Sequence, residues 1–261
     1  MTDSVLRQQD GAVATITINR PAARNALTAE TKIALLEALQ DCSSDAATRA
    51  VILTGAGPGF CAGQDLREHA GQLDSGAAPL STVREHYNPI VMCITGMPKP
   101  VIAAINGVAA GAGAALAFAC DFRIAARGAS LLMAFARVGL GADSGASWTL
   151  QRLAGPARAA ELLMLAEPVD AATALGMGLV NSVVPDEELA AAAGSLADRL
   201  AAGPTRAYAA IKEALLFGAA HGLHESLARE ADLQQMLGQT RDHQEATRAF
   251  LRKEQPTFEG R

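Results

Sequence analysis

Apolar positions recur in short strand-like runs over the first two thirds of the chain and at helical spacing over the last third. "AVATITINRP" (12–21) alternates β-branched and small residues and stops at a proline, which predicts a strand. "LTAETKIALLEALQDC" sets Ile33, Leu36 and Leu39 at helical spacing, with Thr28 as N-cap. "RAVILTGAG" and "PVIAAING" are apolar runs closed by glycine turns and suit buried strands; "DFRIAA" and "GLVNSVVP" are further strand candidates. Helical stretches separate them, so the expected class is α/β with a largely parallel core. After about Pro185, "DEELAAAAGSLADRLAAG", "PTRAYAAIKEALLFGAAHG", "LHESLAREADLQQMLGQ" and "RDHQEATRAFLRK" read as consecutive helices, broken at Gly203-Pro204, Gly222 and Gly238. The expected organisation is an α/β core over 1–185 and a helical segment over 186–261. The polar, weakly periodic stretch Leu66 to Thr82 is expected to be a flexible connection.

Val101 to Cys120 carries no charge over twenty residues, a length that could span a membrane. Alanine and glycine dominate it, however, and Asn106-Gly107 reads as a turn, so a buried strand, a turn and a buried helix are expected. Hydrophobic residues make up 50% of the 261 positions and the net charge is −5. A sizeable core follows, and nucleic acid is excluded as a main partner because no basic excess opposes phosphate. Cys42, Cys61, Cys93 and Cys120 have no paired or metal-ligand spacing, and the N-terminus has no apolar leader. Reduced thiols, no metal, no membrane segment and a cytoplasmic location are expected.

Glycines cluster in "LTGAGPGFCAGQDL" (53–66) and "NGVAAGAGAAL" (106–116). Neither completes a dinucleotide fingerprint or a phosphate-binding loop. In the first, Gln64 precedes a helical turn opened by Asp65; in the second, Gly111 and Ala112 open a helix whose first N–H groups lack internal partners. Two such sites converging on one oxygen would make an oxyanion hole. Tight strand–helix packing explains the same glycines equally well. No G-x-S-x-G is present, and the five histidines lie in polar or helical surroundings. Asp143, in "GLGADSGASW", fits either an N-cap of the helix that follows or a catalytic carboxylate in an apolar setting.

"NRPAARNALT", "LTGAGPGFCAGQDL", "PKPVIAAINGVAAGAGAALAFACDFRIA" and "GLGADSGASWTLQRLAG", taken in order, resemble the enoyl-CoA hydratase/isomerase (crotonase) family from about residue 5 to the C-terminus. The resemblance implies a spiral of β-β-α units, a helical C-terminal part at subunit contacts, and a homotrimer or a hexamer made as a dimer of trimers. It implies acyl-CoA thioester substrates, with coenzyme A as carrier and no permanently bound cofactor. By position, the thioester oxygen would meet the N–H groups of Gln64 and Ala112. Arg24 and Ala26 match positions beside the CoA moiety, and Ala62, Asp65, Leu66, Val108 and Ala110 match the acyl and pantetheine channel. Lys212 would reach a neighbouring subunit's CoA phosphate.

The two glutamates that family hydratases use to add water would fall at Ala115 and Phe135, so both are missing. Asp143 matches an aspartate of the ring-epoxide and dienoyl-CoA isomerases of the same family. One carboxylate can take a proton from one carbon and return it to another, whereas hydration also needs a held water and an acid. The expectation is therefore an acyl-CoA isomerase with Asp143 as acid/base. A hydratase is the alternative, and a non-catalytic acyl-CoA-binding subunit the second alternative. Phe135 and Trp148 would supply an apolar wall for the acyl group or simply pack the core.

Overall fold

The computed structural model describes residues 3–75 and 80–261. The chain opens with an antiparallel hairpin of β1 (Val5–Asp10) and β2 (Val13–Ile18), then α1 (Ala29–Ser44). Three successive units follow. In each, one strand joins a large sheet, the next joins a small sheet, and helix returns the chain. The first unit is β3 (Ala50–Gly55), β4 (Gly59–Cys61), α2 (Leu66–Asp74) and α3 (Asn88–Gly96). The second is β5 (Val101–Ile105), β6 (Val108–Ala110) and α4 (Ala112–Ala119). The third is β7 (Phe122–Ala126), β8 (Ser130–Leu132) and α5 (Ala146–Leu165), broken at Gly155 just before Pro156. The short β9 (Val169–Asp170), α6 (Ala171–Gly176) and β10 (Ser182–Val184) close the spiral.

The large sheet runs β1-β2-β3-β5-β7-β10 and is parallel except for β1. The small sheet runs β4-β6-β8-β9, parallel except for β9. All five residues of β5 are buried, as expected of a central parallel strand covered on both faces. The apolar run 101–120 thus resolves into β5, the Asn106-Gly107 turn, β6 and the fully buried α4. The three-residue strands of the small sheet were not anticipated, nor was β1, whose "VLRQQD" is almost entirely exposed.

After Pro185 the chain forms α7 (Leu189–Ala201), α8 (Thr205–Gly218), α9 (Leu223–Gly238) and α10 (Arg241–Arg252). α7 packs on β3, β5 and β7 through Leu189, Ala193, Ala197 and Leu200. α8 to α10 leave Ile211, Leu215, Leu223, Phe250 and Leu251 exposed. Thr28 caps α1 as expected, accepting from Thr31 N. The buried face of α1 is Thr31, Lys32, Leu35, Leu39 and Cys42, however, and Ile33 is 47% exposed. Of the stretch expected to be a flexible connection, Leu66–Asp74 is helical, because the Asp65 carboxylate caps it at Arg67 N and Glu68 N. Positions 76–79 of that stretch lie outside the described residues.

Candidate active site

Two main-chain donors come together where β4 ends and α4 begins. Leu27 N donates to Gly63 O at 2.7 Å, and Asp65 N donates to Leu27 O at 3.1 Å. Across a trans peptide the Gly63 carbonyl and the Gln64 N–H point oppositely, so the Gln64 N–H faces away from Leu27. Gly63 itself lies against the start of α4: a Cβ placed on it would lie 3.3 Å from Ala112 N and 2.7 Å from Ala110 O. Gly63, at φ +84°, is therefore the spacing element between the two donors. Ala112 is the first residue of α4 and Ala115 N already returns to Gly111 O at 3.1 Å, so the helix offers Ala112 N no acceptor. Among the described residues neither the Gln64 N–H nor the Ala112 N–H has a protein acceptor. Gly113 lets α4 come this close, since a Cβ there would fall 2.2 Å from Cys61 O.

The Gln64 side chain turns to two donors. Lys32 Nζ reaches its Oε1 at 3.0 Å and Tyr87 Oη at 2.7 Å. Lys32 is 1% exposed, also donates to Thr82 Oγ1, and stands 4.9 Å from the Tyr87 ring centre. Burial lowers the Lys32 pKa from its ordinary value, while Glu68 and Asp143 pull it back up. Burial raises the Tyr87 pKa, and the negative charges of Asp143 and Glu68 add to the effect. Tyr87 enters from the π-helical turn Val83–Tyr87. Neither Lys32 nor Tyr87 was singled out from the sequence. The signal available was a lysine one position off the apolar stripe of α1.

Asp143 lies between a 3-10 turn over Ala134–Val138 and α5, partly buried. Its carboxylate does not cap α5, whose N-cap is Gly145 with no side-chain bond. The capping alternative is thereby set aside. Asp143 O accepts from Ala146 N at 2.9 Å instead, and Ser144 and Gly145 turn the chain with φ of +51° and +74°. The carboxylate accepts the Ser144 hydroxyl at 2.8 Å. Burial raises its pKa above the ordinary carboxylate value, opposed by the Ser144 hydrogen bond and the Lys32 charge. The positions of the two absent glutamates are buried, Ala115 at 0% and Phe135 at 7% exposed. The neighbouring Glu68 is engaged at the start of α1, where its oxygens accept Ala29 N at 3.1 and 3.2 Å.

The remaining expected residues separate into two groups. Leu66 and Val108 are exposed beside the two donors, at 57% and 40%, and Ala110 forms the floor under Gly63. Arg24 is exposed at φ +50°, and its carbonyl accepts Ala62 N at 3.0 Å, tying the two sequence blocks together. The other group is already engaged within the chain. The Asp65 carboxylate caps α2 and pairs with Arg20 at 2.9 Å, and Ala26 O accepts from that same Arg20. Lys212 was expected to reach a neighbour. It is instead committed to Asp121 at 2.7 Å, to Lys99 O at 3.1 Å and to Ile94 O at 3.2 Å. Trp148 stacks on Arg152 at 3.9 Å and lines a cavity of about 690 Å³ with Phe118, Tyr208 and Leu215, of which Asp143 is not a lining residue. All four cysteines are free thiols, and burial pushes Cys61 and Cys120 up to about 12.

A two-sheet spiral with main-chain donors at a strand end and a helix start is the crotonase fold. The profile of the enoyl-CoA hydratase/isomerase family matches residues 8–261, and the chain belongs to that family. It is 42% identical to the 1,2-epoxyphenylacetyl-CoA isomerase of Escherichia coli K12, with all of both chains covered. It is 43% identical, over 95% of each chain, to a Rhodobacter capsulatus protein named "Probable enoyl-CoA hydratase". The enoyl-CoA hydratase of Bacillus anthracis superposes with a TM-score of 0.91 at 35% identity, covering 99% of this chain and all of that one. The chain is thus an enzyme-family member similar at equal levels to proteins named for isomerisation and for hydration.

Proposed function

We propose that the protein is an acyl-CoA isomerase. In this reading the thioester oxygen accepts the N–H groups of Gln64 and Ala112, whose acceptors no other part of the described chain supplies. Removal of an α- or γ-proton leaves an enolate with its charge largely on that oxygen, and each main-chain donor contributes about 3 kcal/mol to its stabilisation. Asp143 takes the proton as a carboxylate and returns it to another carbon as the acid, shifting a double bond; in a ring epoxide the enolate's electron pair breaks an epoxide bond before the proton returns to the isomeric product. Atoms balance with no water consumed. The observation that carries this reading is the state of the carboxylates. Asp143 is partly buried, raised in pKa and free of any capping role, while Ala115 and Phe135 carry no acid and Glu68 is engaged with Ala29 N.

Coenzyme A serves as the substrate's carrier. Its diphosphate lies toward the exposed Arg24, its pantetheine passes Leu66 and Val108, and the acyl group runs inward past Ala62, Ala110 and Phe135. The exposed apolar side chains of α8 to α10 support assembly as a homotrimer or a hexamer of two trimers.

The test presents the protein with a 3-enoyl-CoA, crotonyl-CoA and the ring epoxide of phenylacetyl-CoA, each followed by mass and absorbance. Isomerisation leaves the mass unchanged. Rapid gain of one water by crotonyl-CoA would establish a hydratase instead, and inertness toward all three with tight ester binding would establish a binding subunit.

A further inference from the structure

Three of the four lysines of this chain leave the surface, and two of those have evident structural partners. Lys99 donates to Cys42 O and Asp45 O at 2.5 and 2.6 Å, satisfying carbonyls at the C-terminal end of α1, where a cation is favoured. Lys212 pairs with Asp121 at 2.7 Å. Lys32 has neither kind of partner. It lies at the start of α1, where the helix dipole disfavours a cation. Its three ammonium hydrogens meet Gln64 Oε1 at 3.0 Å, Thr82 Oγ1 and the face of the Tyr87 ring, whose centre is 4.9 Å away. All three partners are neutral. The two acids whose charges act on it, Glu68 and Asp143, are bonded instead to Ala29 N and to the Ser144 hydroxyl. At 1% exposure such a lysine is costly, and a methionine would fill the same face of α1 without that penalty.

Its location determines what the charge acts on. Gln64 carries, on its main chain, one of the two N–H groups that the proposed function gives to the thioester oxygen. That peptide is held in place without the side chain, because Leu27 N donates to Gly63 O at 2.7 Å and Asp65 N donates to Leu27 O at 3.1 Å. The hydrogen bonds of Lys32 and Tyr87 to Oε1 are therefore not needed to place the N–H. What Lys32 adds is a net charge. It stands no farther from the Gln64 nitrogen than one glutamine side chain and one hydrogen bond, about 8 Å. An oxygen bound at that N–H is then within about 11 Å of the ammonium, a range over which buried charges are only weakly screened.

We propose that Lys32 is a positioning residue that acts from behind Gln64: touching no substrate, it sets a permanent positive charge toward the thioester oxygen and stabilises the enolate as it forms. The same charge favours the ionised form of Asp143. At about 11 Å and an effective dielectric near 20, the attraction corresponds to a rate contribution of about 10-fold. This rests on the oxyanion-hole reading of the site but not on which carbon receives the proton.

Infrared difference spectroscopy tests this without turnover. Phenylacetyl-CoA labelled with carbon-13 at the thioester carbonyl is bound to the full-length protein. The wild type moves the carbonyl stretch to lower wavenumber than in the free ester. Ala112→Pro loses about half of that shift, and Lys32→Met loses about one fifth of it. Lys32→Gln keeps a donor toward Oε1 without the charge and loses as much as Lys32→Met. Thermal unfolding finds Lys32→Met at least as stable as the wild type. On whichever of the three CoA esters is turned over, its kcat falls about 10-fold at unchanged KM, read on the pH plateau. A full shift in Lys32→Met overturns the proposal, while the loss in Ala112→Pro leaves the donor pair standing. A full shift in Lys32→Gln overturns it too, because a hydrogen bond and not a charge then acts. A wild type that leaves the carbonyl unshifted refutes the donor pair itself, and this inference with it.

Discussion

Ala112→Pro tests the helix-start donor without deleting a contact of the folded chain. Ala112 is the first residue of α4, the helical position where proline is best tolerated, because its missing N–H has no intrahelical role. Ala112 N donates to no other group of the described chain, so no hydrogen bond is lost on substitution. Gly111 precedes it at φ +52°, ψ −125°, and without a Cβ it accommodates the proline ring's Cδ. The expected change in folding stability is therefore within about 1 kcal/mol. Under the proposed function catalysis loses one of two donors to the enolate oxygen, about 3 to 4 kcal/mol or 10²- to 10³-fold in kcat. Ala115→Pro is the control. Its N–H donates to Gly111 O at 3.1 Å, and proline there destabilises by about 3 kcal/mol or more. The assay pairs denaturant unfolding with single-turnover kinetics on a 3-enoyl-CoA. An Ala112→Pro protein that folds normally and keeps its rate would show that this N–H does not face the reacting oxygen.

Further consequences follow from the same geometry. Asp143→Asn lowers the isomerisation rate by about 10³-fold or more, read by product absorbance. It also raises the melting temperature at neutral pH. The folded state holds this proton more tightly than the unfolded state, so ionisation of Asp143 opposes folding above its folded pKa. The gap between variant and wild type closes as pH falls through that pKa. Lys32→Met removes the charge that lowers the Asp143 pKa, so the acid limb of the kcat/KM profile moves to higher pH. An unmoved limb excludes that coupling. Asn25 is fully buried at φ +57° and bonds Ala56 O, Gly59 O and Arg20 N. Asn25→Ala accordingly destabilises by about 2 to 4 kcal/mol in urea unfolding. Light scattering of the purified protein gives a mass of three or six chains, and a monomer rules out the proposed assembly.

The parts of the fold that were readable are those whose order is local. β2, β3, β5 and β7 announce themselves as apolar runs with turn residues at their ends, and Thr28 marks the start of α1. The strands of the small sheet are two or three residues long and exist only through pairing with partners far away in sequence, which no local pattern encodes. At the site, the glycine blocks marked where a strand end and a helix start approach, because backbone proximity demands glycine there. Asp143 stayed ambiguous between cap and base, since both readings place an acid just before a helix. The Gly145 N-cap removes the cap reading. Lys32 was hidden because the apolar stripe containing Ile33 suggested a burial face rotated by one residue from the real one.

Gly113 against Cys61 O fixes the distance between a strand end and a helix start, and both proposed donors are peptide groups. An anion receptor made of main chain is nearly independent of the side chains that cover it. Alanine, glycine or a longer residue at 112 each contribute the same N–H. Substitution can therefore exchange the acids and the pocket walls while the charge-stabilising apparatus stays intact. In such a scaffold the reaction is an interchangeable attachment, which the proposed function assigns to a single carboxylate on the turn before α5.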